Sequence, residues 1–176
     1  MESGSLYRRI LGDRLDALPS ALRRFHDAVN GGTAKGKFKV TRGPGRFRNL
    51  LASMISLPAS GSDVPLELIV KADGAREHWI RRFGNHPMRT RQWKAGPLLI
   101  EAGGPMRFGF QLIANERGIQ FKLIRAWFCL VRLPRFVFPR VEATETACEG
   151  GWDVMVQFSL PGAGMLIRYE GRVFLD

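Results

Sequence analysis

The sequence predicts a mainly antiparallel β domain of the α+β class: a curved sheet, barrel or half-barrel of about ten strands, with two or three helices near the N-terminus. Three observations carry this expectation. Beyond Val64 no long helical period interrupts a series of short strand-like segments. Turn signals such as Asp73-Gly74, Gly84-Asn85, Gly103-Gly104, Arg117-Gly118, Gly150-Gly151 and Gly162 separate them. Apolar residues at helical spacing are confined to the first sixty positions. Short connections between consecutive strands make antiparallel hairpins, and about ten strands in one small domain must curl or close to protect their edges.

Along the chain, residues 1–60 read as helices plus one edge strand, and 61–176 as an antiparallel meander, together forming one domain. Leu6, Ile10 and Leu11 make the apolar face of a first helix, broken at Gly12 and Asp13. Pro19 opens a second, in which Leu22, Phe25 and Val29 recur at helical spacing until Asn30, Gly31 and Gly32 stop it. Lys35, Lys37 and Lys39 then alternate with Gly36, Phe38 and Val40, which predicts a short strand near a sheet edge. After Gly43-Pro44-Gly45, the spacing of Phe47, Leu50, Leu51, Met54 and Ile55 predicts an amphipathic helix ending before Pro58. Strands are expected at 66–71, 77–83, 88–94, 98–102, 106–113, 119–127, 140–148, 152–160 and 165–174. Leu133 to Pro139, with two prolines, reads as an irregular excursion.

With 176 residues, 45% of them hydrophobic, the chain can bury a core without disulfides or metals. The longest apolar run, Ala126 to Val131, is far short of the roughly 18 residues of a spanning helix, and the N-terminus lacks the features of a secretory signal, so a cytoplasmic location is expected. Cys129 and Cys148 have no second pair, which excludes a zinc ribbon and argues against a disulfide framework. Net charge is +11, distributed as +7 over residues 1–60, +8 over 61–140 and −4 over 141–176. A basic excess spread this widely is a poor match to the concentrated stripe of a nucleic-acid binder.

Several motifs come close to known chemistry and fail. Gly31 to Phe38 resembles a phosphate-binding loop but places Phe38 where a Ser or Thr must meet magnesium. Gly43-Pro44-Gly45, beside Arg42, Arg46 and Arg48, is better placed to attract an anion, but no parallel βαβ unit follows. His26, His78 and His86 share no metal spacing, and no serine lies in a nucleophile elbow, so no metal or cofactor is expected.

Strand faces are more informative. Met106, Phe108, Phe110 and Leu112 share one face, as do Trp152, Val154, Val156, Phe158 and Leu160, and both faces are expected to point inward. By the same reasoning Arg125 follows Ile119, Phe121 and Leu123 and precedes Trp127, while Arg81 lies between Trp79 and Phe83. A buried guanidinium must be paired, and its partner is either an internal carboxylate, with Glu101 and Glu145 available, or a ligand.

The whole chain resembles a bacterial family, domain of unknown function 4166. The shared landmarks are Leu6-Tyr7, Leu18-Pro19, Phe25-His26, Gly43-Pro44-Gly45, Val64-Pro65, Trp79 with Arg81 and Phe83-Gly84, Gly104-Pro105 with Phe108-Gly109, Leu133-Pro134, Pro139, and Tyr169 with Gly171. The resemblance implies a module found alone or after a reductase-like nucleotide-binding domain, and so a reductase-like protein as partner. It carries over no catalytic residues.

The leading expectation is a non-catalytic or weakly catalytic domain that binds a small, largely apolar anion. Arg81 and Arg125 would be its anchors, and Trp79, Trp93, Phe108 and Trp127 its walls. The rival is a cofactor-independent enzyme in the same cavity, with Glu101 or Glu145 as acid or base. A third reading is a basic surface for nucleic acid or anionic lipid.

Overall fold

Ten antiparallel strands close on themselves in the computed structural model, which describes residues 4–45 and 57–176. The elements are α1 (Leu6–Leu11), a 3-10 helix (Gly12–Leu15), α2 (Ser20–His26), β1 (Gly31–Arg42), β2 (Gly61–Asp73), β3 (Arg76–Phe83), β4 (His86–Ala95), β5 (Leu98–Gly103), β6 (Met106–Asn115), β7 (Gly118–Phe128), β8 (Val131–Arg132), a second 3-10 helix (Arg135–Val137), β9 (Arg140–Cys148), β10 (Gly151–Leu160) and β11 (Gly164–Leu175). Each strand from β1 to β7 pairs with its sequence neighbour, β7 pairs with β9, and the β11–β1 pairing closes the barrel. β8 is a two-residue ribbon on the end of β7, outside the closed ring. No helix among the described residues is long and apolar enough to cross a membrane.

Closure corrects one expectation directly. β1 is neither short nor at an edge: it spans twelve residues between β2 and β11. Its lysines face out because the outer face of β1 is wet, so the alternation marks an outside and not an edge. α2 also stops earlier than expected, at His26. Val29 is exposed, and Gly31 and Gly32 already belong to β1, which dissolves the resemblance to a phosphate-binding loop. The helix expected over 47–55 lies outside the described residues, as do Arg46 and Arg48. Arg42 is committed to the backbone carbonyls of Pro58 and Leu57.

Inward side chains alternate along each strand: Phe38 and Val40 on β1, Leu66 and Leu68 on β2, Trp79 and Phe83 on β3, Phe110 and Leu112 on β6, Trp152 and Phe158 on β10. Gly171 on β11, opposite Phe38 on β1, lets the wall close over an aromatic ring. A Cβ on Gly171 would stand 2.2 Å from the Lys37 carbonyl oxygen and 2.7 Å from the Phe38 ring.

A barrel of ten strands is wider than its own side chains can fill. The helices fill one end. α1 packs against β4 and β6, and α2 against β1, β10 and β11. Leu6, Leu11, Leu15 and Leu22 are buried there with Leu99, Leu112, Ile119 and Val173. Polar contacts lock the plug. Ser5 Oγ accepts the Arg8 N–H at 3.0 Å, and the Arg8 guanidinium bridges Asp16 and Asp27 at 2.8 and 2.6 Å. The buried Glu77 carboxylate of β3 accepts the Leu6 N–H and the Trp79 indole N–H, so the start of α1 is hydrogen-bonded to the wall.

Leu22 is fully buried at the centre of this plug. Leu22→Ala is expected to cost about 2–5 kcal/mol, measured by urea unfolding. A loss below about 1 kcal/mol would show that the plug packs loosely.

Candidate functional site

The plug fills only its own end, so the barrel keeps a cavity of about 420 Å³ toward the other, where the hairpins β3–β4, β5–β6 and β10–β11 turn. At about 30 Å³ per water-sized group, it has room for on the order of fourteen non-hydrogen atoms. Most of the lining is apolar: Phe108, Phe110, Phe121, Val154, Val156 and Phe158 face one another across it. Phe108 meets Phe158 edge-on at 5.8 Å between ring centroids, and Phe110 meets Phe121 at 6.0 Å.

Polar groups enter this wall at two places. The first lies across β3, β4 and β5. Arg81 Nη1 donates to Thr90 Oγ1 at 2.9 Å and to Glu101 Oε1 at 3.0 Å, and Thr90 Oγ1 donates to the same Glu101 oxygen at 2.7 Å. The guanidinium also lies 4.9 Å from the Trp79 ring centroid, a cation–π contact. Burial works against the charge on Arg81, but Glu101 and the neighbouring phenols more than offset it and hold its pKa above the usual arginine value. Arg81 is therefore a permanent cation with a carboxylate in hand.

The second place is the floor, where plug meets cavity. His26 Nε2 lies 2.6 Å from Glu145 Oε2; the imidazole is fully buried, and Glu145 lines the cavity. Nδ1 of His26 is buried without a hydrogen-bond partner among the described residues. The ring packs against Tyr7 in a tilted arrangement with centroids 4.0 Å apart, and Tyr7 donates its hydroxyl to Gln92 Oε1 at 3.3 Å. Burial pushes the Tyr7 phenol well above its ordinary value, with the Glu145, Glu77 and Glu101 carboxylates adding to the effect. Tyr169, also on the cavity wall, is pushed up to about 12, chiefly by burial, with Arg81 opposing and Glu101 and Glu145 reinforcing.

Of the residues singled out in the sequence, Arg81, Trp79, Phe108, Glu101 and Glu145 do border the cavity. Three do not, and each has a structural reason. A bulge at Ile124 shifts the β6–β7 register between Gly109 and Phe110. The faces of β7 exchange there, so Ala126 is buried and Arg125 is exposed on the outer wall. Trp127 shares that outer face, paired with Arg107 and Arg132. On β4 the inward residues are Met88, Thr90 and Gln92, which leaves Trp93 outside, with the guanidinium carbons of Arg76 and Arg107 at 5.8 and 5.4 Å from its ring.

Thr90, Gln92, Tyr169, Tyr7 and His26 were the polar participants that sequence reasoning missed. Thr90 and Gln92 carried a usable signal, since they share the period-two face of Met88. His26 carried none, because its partner Glu145 is 119 residues away. Among the described residues, no group of three His, Cys, Asp or Glu side chains could hold a metal ion.

Residues 18–173 match the model of a family described as Domain of unknown function (DUF4166). Leu6-Tyr7 lies ahead of the matched segment. No curated protein matches the chain, and no solved structure does.

Arg81→Met leaves Glu101 uncompensated in the wall and is expected to cost about 3 kcal/mol in urea unfolding, while Arg81→Met with Glu101→Leu recovers most of the loss. Equal losses in both variants would mean that the two side chains are not coupled. The protein's two tyrosines, Tyr7 and Tyr169, both have raised pKa values, so the fold favours the neutral phenols. This contribution to stability is complete below about pH 10 and is lost as pH rises through the folded value of about 12 at Tyr169. Tyrosinate absorbance should therefore be absent from the folded protein at pH 10; half-ionisation there would contradict the burial.

Proposed function

Since the chain belongs to the DUF4166 family, whose description assigns no activity, we propose from the geometry of the site that the barrel binds a small, largely apolar molecule with one uncharged hydrogen-bonding end. The observation that carries this reading is the placement of the Arg81–Thr90–Glu101 cluster in the wall of an otherwise aromatic and aliphatic cavity. Such cavities take their affinity from apolar contact and their orientation from a few convergent polar groups.

The sequence favours an anionic guest because Arg81 and Arg125 fall on the faces expected to point inward. Arg125 is on the outer wall, and the charge of Arg81 is matched by Glu101. A carboxylate guest would meet Glu101 and Glu145 on entering; Arg81, the half-buried cation of the wall, is already paired with Glu101, and Arg89, the other arginine on the lining, is exposed to water, which screens its charge. A hydroxyl or carbonyl end, by contrast, needs only hydrogen-bond partners, which Arg81, Thr90 and Glu101 supply as both donors and acceptors. The His26–Glu145 contact supports acid–base chemistry at the floor as a second reading. It ranks behind binding because each glutamate is already held by a partner, Glu101 by Arg81 and Thr90 and Glu145 by His26, and so is not free to reach a guest.

The test is fluorescence titration with the neutral apolar probe 1-aminoanthracene, whose size is about that of the cavity, followed by displacement with decanol and decanoate. The probe is expected to bind one to one, decanol to displace it at least as well as decanoate, and Ala143→Trp, which fills the cavity from β9, to weaken it by roughly tenfold or more. Tighter binding of decanoate by tenfold would restore the anion site. Failure of the probe to bind would remove the container reading.

A further inference from the structure

We propose that the end of the barrel opposite the plug docks on a membrane surface containing anionic lipid, through the segment from Phe128 to Arg140. The apolar component of this surface is concentrated. Among the described residues, the exposed large hydrophobic side chains are Val29, Ile113, Phe128, Leu130, Val131, Phe136, Val137 and Phe174, so five of the eight fall within ten consecutive positions. Phe136 and Leu130 expose 79% and 75% of their surface, far more than isolated surface apolar residues require.

The β7–β8 turn that carries Leu130 is held there at a cost. Cys129 and Leu130 both have positive φ, 47° and 70°, in a two-residue hairpin turn that favours Asn-Gly. A leucine there combines an unfavourable backbone with an unfavourable exposure. The hydrogen bond from the Cys129 N–H to the Pro105 carbonyl oxygen, 2.9 Å, fastens this tip to the β5–β6 turn, whose Gly103 and Gly104 line the cavity. The exposed tip thus sits beside the β5–β6 turn at the end of the cavity opposite the plug.

Charge supplies the argument for anionic lipid in particular. Between Glu116 and Glu142 the chain carries six basic residues and no acidic one. Arg125, Arg132, Arg135 and Arg140 are all exposed on or beside the apolar segment, while residues 141–176 carry a net −4. Apolar side chains set among arginines are the composition of a surface that inserts shallowly between lipid headgroups and pairs with their phosphates. A protein partner would more often meet such arginines with ordered carboxylates, and an oligonucleotide would have no use for exposed leucine and valine. Docking itself stands independently of the cavity; the consequence that an apolar guest passes between bilayer and barrel rests on the binding reading above.

The experiment is flotation of the full chain with vesicles of phosphatidylcholine alone or with 30% phosphatidylglycerol, at low and high salt. The protein is expected to float with the mixed vesicles only, and to be released as salt rises. Leu130→Asp and Phe136→Asp are expected to weaken binding about tenfold each, and Arg132→Gln about fivefold. Probe binding in solution is measured on the same variants and is expected to be unchanged, which shows that they fold and separates failure of docking from failure of the cavity reading. Equal behaviour on both vesicle types, or variants that bind like the parent, would overturn the proposal. So would a dimer in lipid-free solution that Leu130→Asp dissolves, because the patch would then be an interface between copies.

Discussion

The width of a ten-stranded barrel governs the rest of this structure. Eight strands enclose a space that their own side chains fill, and each further strand widens it. Closure through β11 and β1 joins the two ends of the ten-stranded ring, with the two-residue β8 left outside it, but leaves an interior that cannot be packed from the wall alone. The N-terminal helices resolve half of the problem by plugging one end, with Leu15 and Leu22 fully buried among wall residues. The other half remains as space, and so the cavity follows from strand number and plug position together.

The same constraint explains why a guanidinium can stand in that wall. In a filled core Arg81 would need its full set of donors satisfied by protein, at a desolvation cost that is seldom recovered. Beside a cavity, pairing with Glu101 and Thr90 and a cation–π contact with Trp79 are enough. The cluster is neutral in sum, which decides the chemistry of the guest more strongly than the presence of arginine does. At the floor, the buried His26–Glu145 pair and the Tyr7–Gln92 hydrogen bond join plug to wall by polar contacts, so both ends of the cavity axis are specified.

Much of the wall was legible in the sequence because period-two alternation and glycine turns report directly on strands whose two faces differ. β9 was placed at its observed bounds and the other strands of the meander largely so, since hairpins leave little freedom in register. What alternation cannot report is a bulge. Ile124 adds one residue to β7 and reverses every face beyond it, which is why Arg125 and Trp127 were assigned inward. Nor can it tell an edge strand from the wall of a closed barrel, because both present lysines to water, as β1 does. Trp93 misled for a different reason: a large aromatic suggests burial, but on the outer wall it is sheltered by Arg76 and Arg107. The long-range pairs His26–Glu145 and Tyr7–Gln92 exist only once the barrel has closed, and no local pattern announces them.

The central claim is that the interior holds a guest whose polar end meets the Arg81–Thr90–Glu101 cluster. A crystal structure with 10-bromodecanol bound tests it most directly, because the bromine locates the far end of the chain by its anomalous signal. The account predicts the hydroxyl within hydrogen-bonding distance of that cluster and the bromine inside the barrel along the aromatic wall. Density for the alcohol confined to the outer surface, with the interior closed by side chains, would contradict it.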